Sequence, residues 1–142
     1  MKTNIITKES TLNTPSESVT DEEWPGLRLQ LHLGMQRHKN AVGFASVQFG
    51  KLKRAFVISK GEVLIFFKNP RYIKNSGDSY LHAEGCMSIP GKTFKVQRYP
   101  KIQIHDDVNG TQTFEGYLAA VVQHEMDHIE GQTIKELGVV NK

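Results

Sequence analysis

The chain has 142 residues, of which 38% are hydrophobic and 23% charged, and its formal net charge is +3. That length suits one domain with one sizeable core, and that composition belongs to an ordinary globular protein. No apolar run is long enough to span a membrane and no basic-then-apolar signal opens the chain, so a cytoplasmic protein is expected. Lysines and arginines are spread out, with only mild concentration at Lys51, Lys53 and Arg54 and across residues 92–101. No nucleic-acid motif accompanies them, so specific nucleic-acid binding is not expected; charge alone leaves room for weak association with the ribosome. A monomer is expected.

Residues 1–20 are rich in Ser, Thr and Asn, contain Pro15, and read as irregular chain with an apolar anchor at Ile5 and Ile6. Asp21, Glu22 and Glu23 form an acidic helix start, and Pro25 is tolerated in a first turn. Leu27, Leu31 and Met35, with Leu33 partly behind, give an apolar stripe at helical spacing to about Arg37, which reads as core packing. Residues 54–59 and 63–67 are β-branched and aromatic runs separated by Lys60, Gly61 and Glu62, a predicted hairpin closed by Asn69 and Pro70. Residues 75–79 read as a surface turn. Residues 93–98 and 101–105 alternate with period two around Pro100, and Asn109-Gly110 predicts a tight turn into residues 111–114. There is no internal repeat. The element order predicts a single α+β domain over residues 1–142, a largely antiparallel sheet packed around a central helix, with residues 137–142 as a short tail.

That central helix is predicted over residues 117–129, YLAAVVQHEMDHI. Residues four apart share a helix face, so His124 and His128 can present two imidazoles to one ion. Glu125 lies about 100° round from His124, near enough to reach a water on that ion without ligating it. The surrounding residues are apolar nearly all round, so each ionisable group needs a partner, and a cation would supply one. The bland reading is a core helix with two hydrogen-bonded histidines.

A metal site that performs chemistry usually has three protein ligands and one open position. Downstream of the helix Gly131 matches the glycine of H-E-x-x-H-x-x-G-x-x-H, but Ile134 stands where the last His would be, and Glu130 and Glu136 are the sole carboxylates. Upstream, Cys86 is the only cysteine and its thiolate is a strong ligand; His82 and His105 are weaker candidates. A lone Cys forms no internal disulfide, and an unpaired reactive thiol fits a reducing compartment.

Three stretches in chain order resemble the motifs of the peptide deformylase family. EGCMS at residues 84–88 and QHEMDH at residues 123–128 are close matches, and AVGFASVQ at residues 41–48 is a looser match to G-x-G-L-A-A-x-Q. Ala41 stands in place of glycine, Phe44 in place of a smaller aliphatic residue and Ser46 in place of alanine. The resemblance covers roughly residues 5–136, and the chain looks like a short form similar to those of bacteriophages.

The resemblance implies a hydrolase that removes the formyl group from the amino-terminal formyl-methionine of nascent peptides. It assigns one divalent ion, Fe²⁺ by expectation with Zn²⁺, Ni²⁺ or Co²⁺ also accommodated, to Cys86, His124 and His128. Glu125 becomes the general acid and base, acting on the ion's water, and Gln48 with the backbone N–H of Met87 stabilises the developing oxyanion. Gly43 and Gly85 let a substrate backbone approach, or serve as plain turn glycines. Val42, Ala120, Val121 and His82 line the methionine pocket, or the first three are plain core packing; Glu84 borders the site, and it and Asp127 orient the ligands or instead take exposed or ion-paired roles, the latter with Arg98. The rival readings are a small metalloprotease cleaving internal peptide bonds and a non-catalytic, metal-containing binder of peptide ends.

Overall fold

The structure, a computed structural model, describes residues 5–140. Residues 1–4 of the expected irregular segment and 141–142 of the expected tail lie outside them. After the one-turn helix α1 (Glu9–Leu12) comes α2 (Trp24–Arg37), with Pro25 in its first turn as expected. The acidic run lies just ahead of α2 rather than inside its first turn. There Thr20 and Glu23 close a reciprocal pair, each backbone N–H donating to the other's side chain. Leu27, Leu31 and Met35 are buried, and they face Phe44, Ala55 and Val57.

The expected antiparallel sheet is divided into three separate three-stranded sheets, antiparallel throughout. The first joins β1 (Gly43–Ala45), β2 (Ala55–Lys60) and β3 (Val63–Lys68) in that order, and β1 leads into a 3-10 turn at Ser46–Phe49. The second is β4 (Arg71–Ser76), β7 (Lys101–Asp106) and β8 (Gly110–Glu115); the third is β5 (Tyr80–Cys86), β6 (Ile89–Arg98) and β9 (Val139–Val140).

The helix α3 (Gly116–Ile129) lies among these sheets. Its apolar side packs with Phe56, Phe67, Ile102, Ile104 and Phe114, where Phe56 and Phe67 stack with ring centroids 4.3 Å apart. Burying each such side chain contributes roughly 1.5–3 kcal/mol relative to exposure, enough to hold α3 rigidly. A further turn, α4 (Ile134–Leu137), is capped by Thr133, whose hydroxyl accepts from the Lys135 N–H.

Among the described residues, the segments 13–16 and 139–140 are tied to the fold more closely than expected. Residues 13–16 cross the carboxy-terminal end of α3: Ser16 N–H donates to the Ile129 carbonyl at 2.9 Å and the Asn13 amide to the Gly131 carbonyl at 3.1 Å. In the expected tail, Val139 pairs with Lys95 of β6. Gly131 holds φ +75°, the left-handed cap expected of it, and a Cβ there would lie 2.9 Å from backbone atoms of Pro15 and Thr14. Replacing Gly131 by Ala should therefore cost about 1–3 kcal/mol, the usual cost of a non-glycine residue held at positive φ. Urea unfolding of both proteins at the same metal loading measures it, and equal midpoints would contradict the strain.

Candidate metal centre

Two elements bring the site together. One is α3, which places His124 and His128 one turn apart with ring centroids separated by 5.2 Å. The other is the end of β5, where the register with β6 shifts between Gly85 and Cys86. Such a bulge re-aims the side chain that follows it, and here Cys86 Sγ lies 3.5 Å from His128 Nε2. One ligand atom from each of Cys86, His124 and His128 falls within 4.8 Å of the others. Atoms bound at 2.0–2.3 Å to one tetrahedral cation sit about 3.3–3.7 Å apart, so this donor set fits a divalent metal with little rearrangement. His82 and His105 stay out of the cluster: His82 Nδ1 is paired with Glu84 Oε2 at 3.0 Å, and His105 Nδ1 meets the Thr111 hydroxyl at 2.9 Å on β7. The downstream carboxylates are committed elsewhere. Glu130 pairs with Arg54, and Glu136 accepts from both the N–H and the hydroxyl of Thr133.

Behind the ligands lies a buried ion network. Glu84 takes Arg98 Nη2 and His124 Nδ1 on one oxygen, and Arg98 Nε and His82 Nδ1 on the other. Arg98 also reaches Asp127. Glu84 thus orients His124, leaving its Nε2 for the cluster, an arrangement that also raises ligand basicity. Burial works to raise the Glu84 carboxyl, but the bonds from Arg98 and His124 overcome it and hold the group well below the usual carboxylate range. Burial likewise works against a charge on His124, yet its bonds to Cys86 and Glu84 keep its pKa well above the ordinary value in the metal-free chain. Burial, reinforced by the charges of His124 and Arg98, holds His128 well below its own, in the neutral form that ligates metals. Its Nδ1 is buried with no partner among the described residues.

Glu125 is 3% exposed, and burial pushes its carboxyl up to about 7. A carboxyl tuned near neutrality can both take and return a proton. Gln48 is equally buried. Its Oε1 accepts the Ala45 N–H at 3.0 Å, which turns the amide nitrogen toward Ser88 Oγ at 3.1 Å and Cys86 Sγ at 3.8 Å. The donor end of Gln48 therefore faces the cluster.

A cavity of about 340 Å³ opens onto these groups. Val42, Ala120 and Val121 give it apolar wall, and Gly43, Gly85, Met87, His82 and Glu84 complete the residues expected there. Glu84 borders the cavity with both oxygens already occupied. Sequence reasoning gave no role to three residues that the fold uses. Tyr117, also on the cavity wall, sets its ring against His82 at 6.1 Å. Ser88 accepts from Gln48. Gln123 pins α3 to the end of β6, bonding both the N–H and the carbonyl of Tyr99 at 2.9 Å. A signal for Gln123 exists: it and Asp127 are four apart on α3 and turn toward the same strand end.

An α+β domain whose central helix carries HExxH, with a cysteine as the third donor, presents the donor set of a mononuclear metal-binding protein. The family profile "Polypeptide deformylase" matches residues 3–137, and the chain belongs to the peptide deformylase family. It is 45% identical over 98 residues to Peptide deformylase 1 of Clostridium perfringens, a match over 65% of this chain and 66% of that protein, just under two thirds of its length. It is similar to the actinonin-bound class I type b peptide deformylase of Acinetobacter baumannii, with TM-score 0.83 and 26% identity, covering 94% of this chain and 96% of that one. It is also similar to a probable peptide deformylase of Synechococcus phage S-SSM7, with TM-score 0.83 and 28% identity over 96% and 98% of the two chains.

The depressed Glu84 carboxyl sets a pH dependence. A folded-state pKa below the ordinary 4.5 adds stability that is complete above that value and is lost as pH falls below it toward the folded value. In EDTA, wild type should melt well above Glu84→Gln at pH 7, and the gap should shrink as pH drops from about 5 toward 3. A gap constant with pH would show that Glu84 contributes no charge-dependent stability.

Proposed function

We propose that this protein hydrolyses the formamide of N-formylmethionyl peptides, yielding formate and a free amino terminus. The observation that carries this reading is the convergence of Cys86, His124 and His128 within 4.8 Å, beside a buried carboxyl and an amide nitrogen turned toward the same point. Family membership supplies the substrate class.

Cys86, His124 and His128 would hold one divalent cation. Fe²⁺ is the expected ion, and a Cys-plus-two-His set also accommodates Zn²⁺, Ni²⁺ or Co²⁺. Such an ion polarises a carbonyl and lowers the pKa of a water from about 15.7 to near 7. Glu125 accepts the attacking water's proton and later delivers it to the departing nitrogen, so the peptide leaves as an amine. As the formyl carbon becomes tetrahedral its oxygen gains negative charge. Gln48 Nε2 and the Met87 backbone N–H donate to it, and each such donor is worth on the order of 10²–10³ in rate. Val42, Ala120, Val121 and His82 receive the methionine side chain, and the backbone at Gly43 and Gly85 flanks the peptide. Among the described residues no helix is long and apolar enough to cross a membrane. An unpaired Cys86 at the centre of the site fits a reducing compartment such as the cytoplasm.

Glu125→Ala should keep one cation per chain while formate release from formyl-Met-Ala-Ser falls by about 10²–10⁴. Turnover close to wild type would remove Glu125 from the reaction, and cleavage of an unformylated, amino-blocked peptide at an internal bond would favour a protease instead. Cys86→Ser should weaken zinc binding by at least about tenfold, read by competition with a chromophoric chelator. Unchanged affinity would take the sulfur out of the ligand set.

A further inference from the structure

Gly43 lies in β1 with no positive φ, so its backbone conformation does not call for glycine. Space does. A Cβ at this position would lie 2.9 Å from Glu125 Oε2, 3.3 Å from the Glu125 carboxyl carbon and 3.1 Å from the Val57 carbonyl oxygen. Non-bonded carbon contacts are comfortable only at about 3.5–4.0 Å, so at least one of these neighbours must move.

The strand is the less movable party. Gly43 pairs with Ile58 across β2, the Val42 carbonyl accepts from Ser59 N–H at 2.9 Å, and Phe44 is fully buried in the core. Glu125, by contrast, borders the open cavity, and its Oε1 has no hydrogen-bond partner to hold it. Gly85, the other glycine on the cavity, differs: a Cβ there would meet its nearest neighbours at an ordinary 3.8 Å.

We propose that Gly43 is a positioning residue whose missing side chain reserves the place of the Glu125 carboxylate. The proposal rests on the reading of Glu125 as the proton carrier. A methyl group at 43 pushes the carboxylate into the cavity, off the line along which it exchanges a proton, while the three ligand atoms stay where they are. The effect therefore falls on the chemical step and not on substrate capture.

The test is a four-protein cycle of wild type, Gly43→Ala, Glu125→Ala and the double variant, each assayed for metal content and for formate release from formyl-Met-Ala-Ser. Gly43→Ala should retain one cation per chain and lose about 10²-fold in kcat with KM unchanged. In the Glu125→Ala background the same change should cost nothing further. A crystal structure of Gly43→Ala should show the carboxylate displaced and Cys86, His124 and His128 in place. A rise in KM with kcat intact, an equal loss in both backgrounds, or an unmoved carboxylate would overturn the proposal. Should Gly43→Ala fail to fold, a folded double variant would support it, because the vacated space admits the methyl, and an unfolded one would overturn it. Wild type that releases no formate would end the deformylase reading instead, and the carboxylate position would still decide the role of Gly43.

Discussion

Two imidazoles, three carboxyls and a guanidinium share the interior around α3; Arg98, Glu84, Asp127 and His124 do so as one linked ion network, while burial keeps His128 neutral and raises the unpaired Glu125 carboxyl. Arg98 is the hinge of that balance, joining Glu84 on one side to Asp127 on the other with both guanidinium edges engaged. Glu84 then has a fixed oxygen to offer His124, and the ligand's ring orientation follows. Removing one member of such a network leaves an uncompensated buried charge, which is far more damaging than the loss of an exposed pair. The metal centre is thus held by an electrostatic frame as much as by the packing of the helix, and the frame is anchored on β6, a strand that contributes no ligand.

How much of this was legible in the sequence depended on periodicity and burial. β7 and the end of β6 are readable because alternate residues are buried, the hairpin of β2 and β3 because its β-branched and aromatic runs are buried in succession, and α3 because it is a long segment apolar nearly all round. β4 buries no residue fully along its length, so it carries no alternation, and its final residues read as turn. β5 buries only the charged Glu84, so it carries no apolar alternation either, although it delivers Cys86. In the site, His124, Glu125 and His128 are visible because their helical spacing is itself the chemistry, whereas Cys86 stands out only as the sole cysteine and by the EGCMS match. The ion pairing of Glu84 and Asp127 with Arg98, one of the roles expected of them, is what the structure shows; the individual bonds between Glu84 and Arg98 follow only from the pairing of β5 with β6.

The departures from the family's first motif are absorbed by the packing. Ala41 needs no left-handed conformation: Asn69 is the only non-glycine residue with positive φ among the described residues. Phe44 is fully buried between the His38 ring at 5.4 Å and the Phe49 ring at 5.2 Å, where it fills the core beneath α2. Ser46 is buried, and its hydroxyl has no partner among the described residues, a polar atom that nothing in the structure explains. Phe44 and Ser46 lie on the core side of the loop and Ala41 lines the cavity, whereas Gln48 keeps its donor end toward the cluster.

The bond from Asn13 to the Gly131 carbonyl joins positions 118 apart in sequence. Contacts of such separation form late, because closing a long loop costs entropy before any contact rewards it. During synthesis the early residues of this belt must wait until the end of α3 has emerged. The two histidines are made after Cys86 and the strand that carries it, so the three donors can meet only once α3 has left the ribosome.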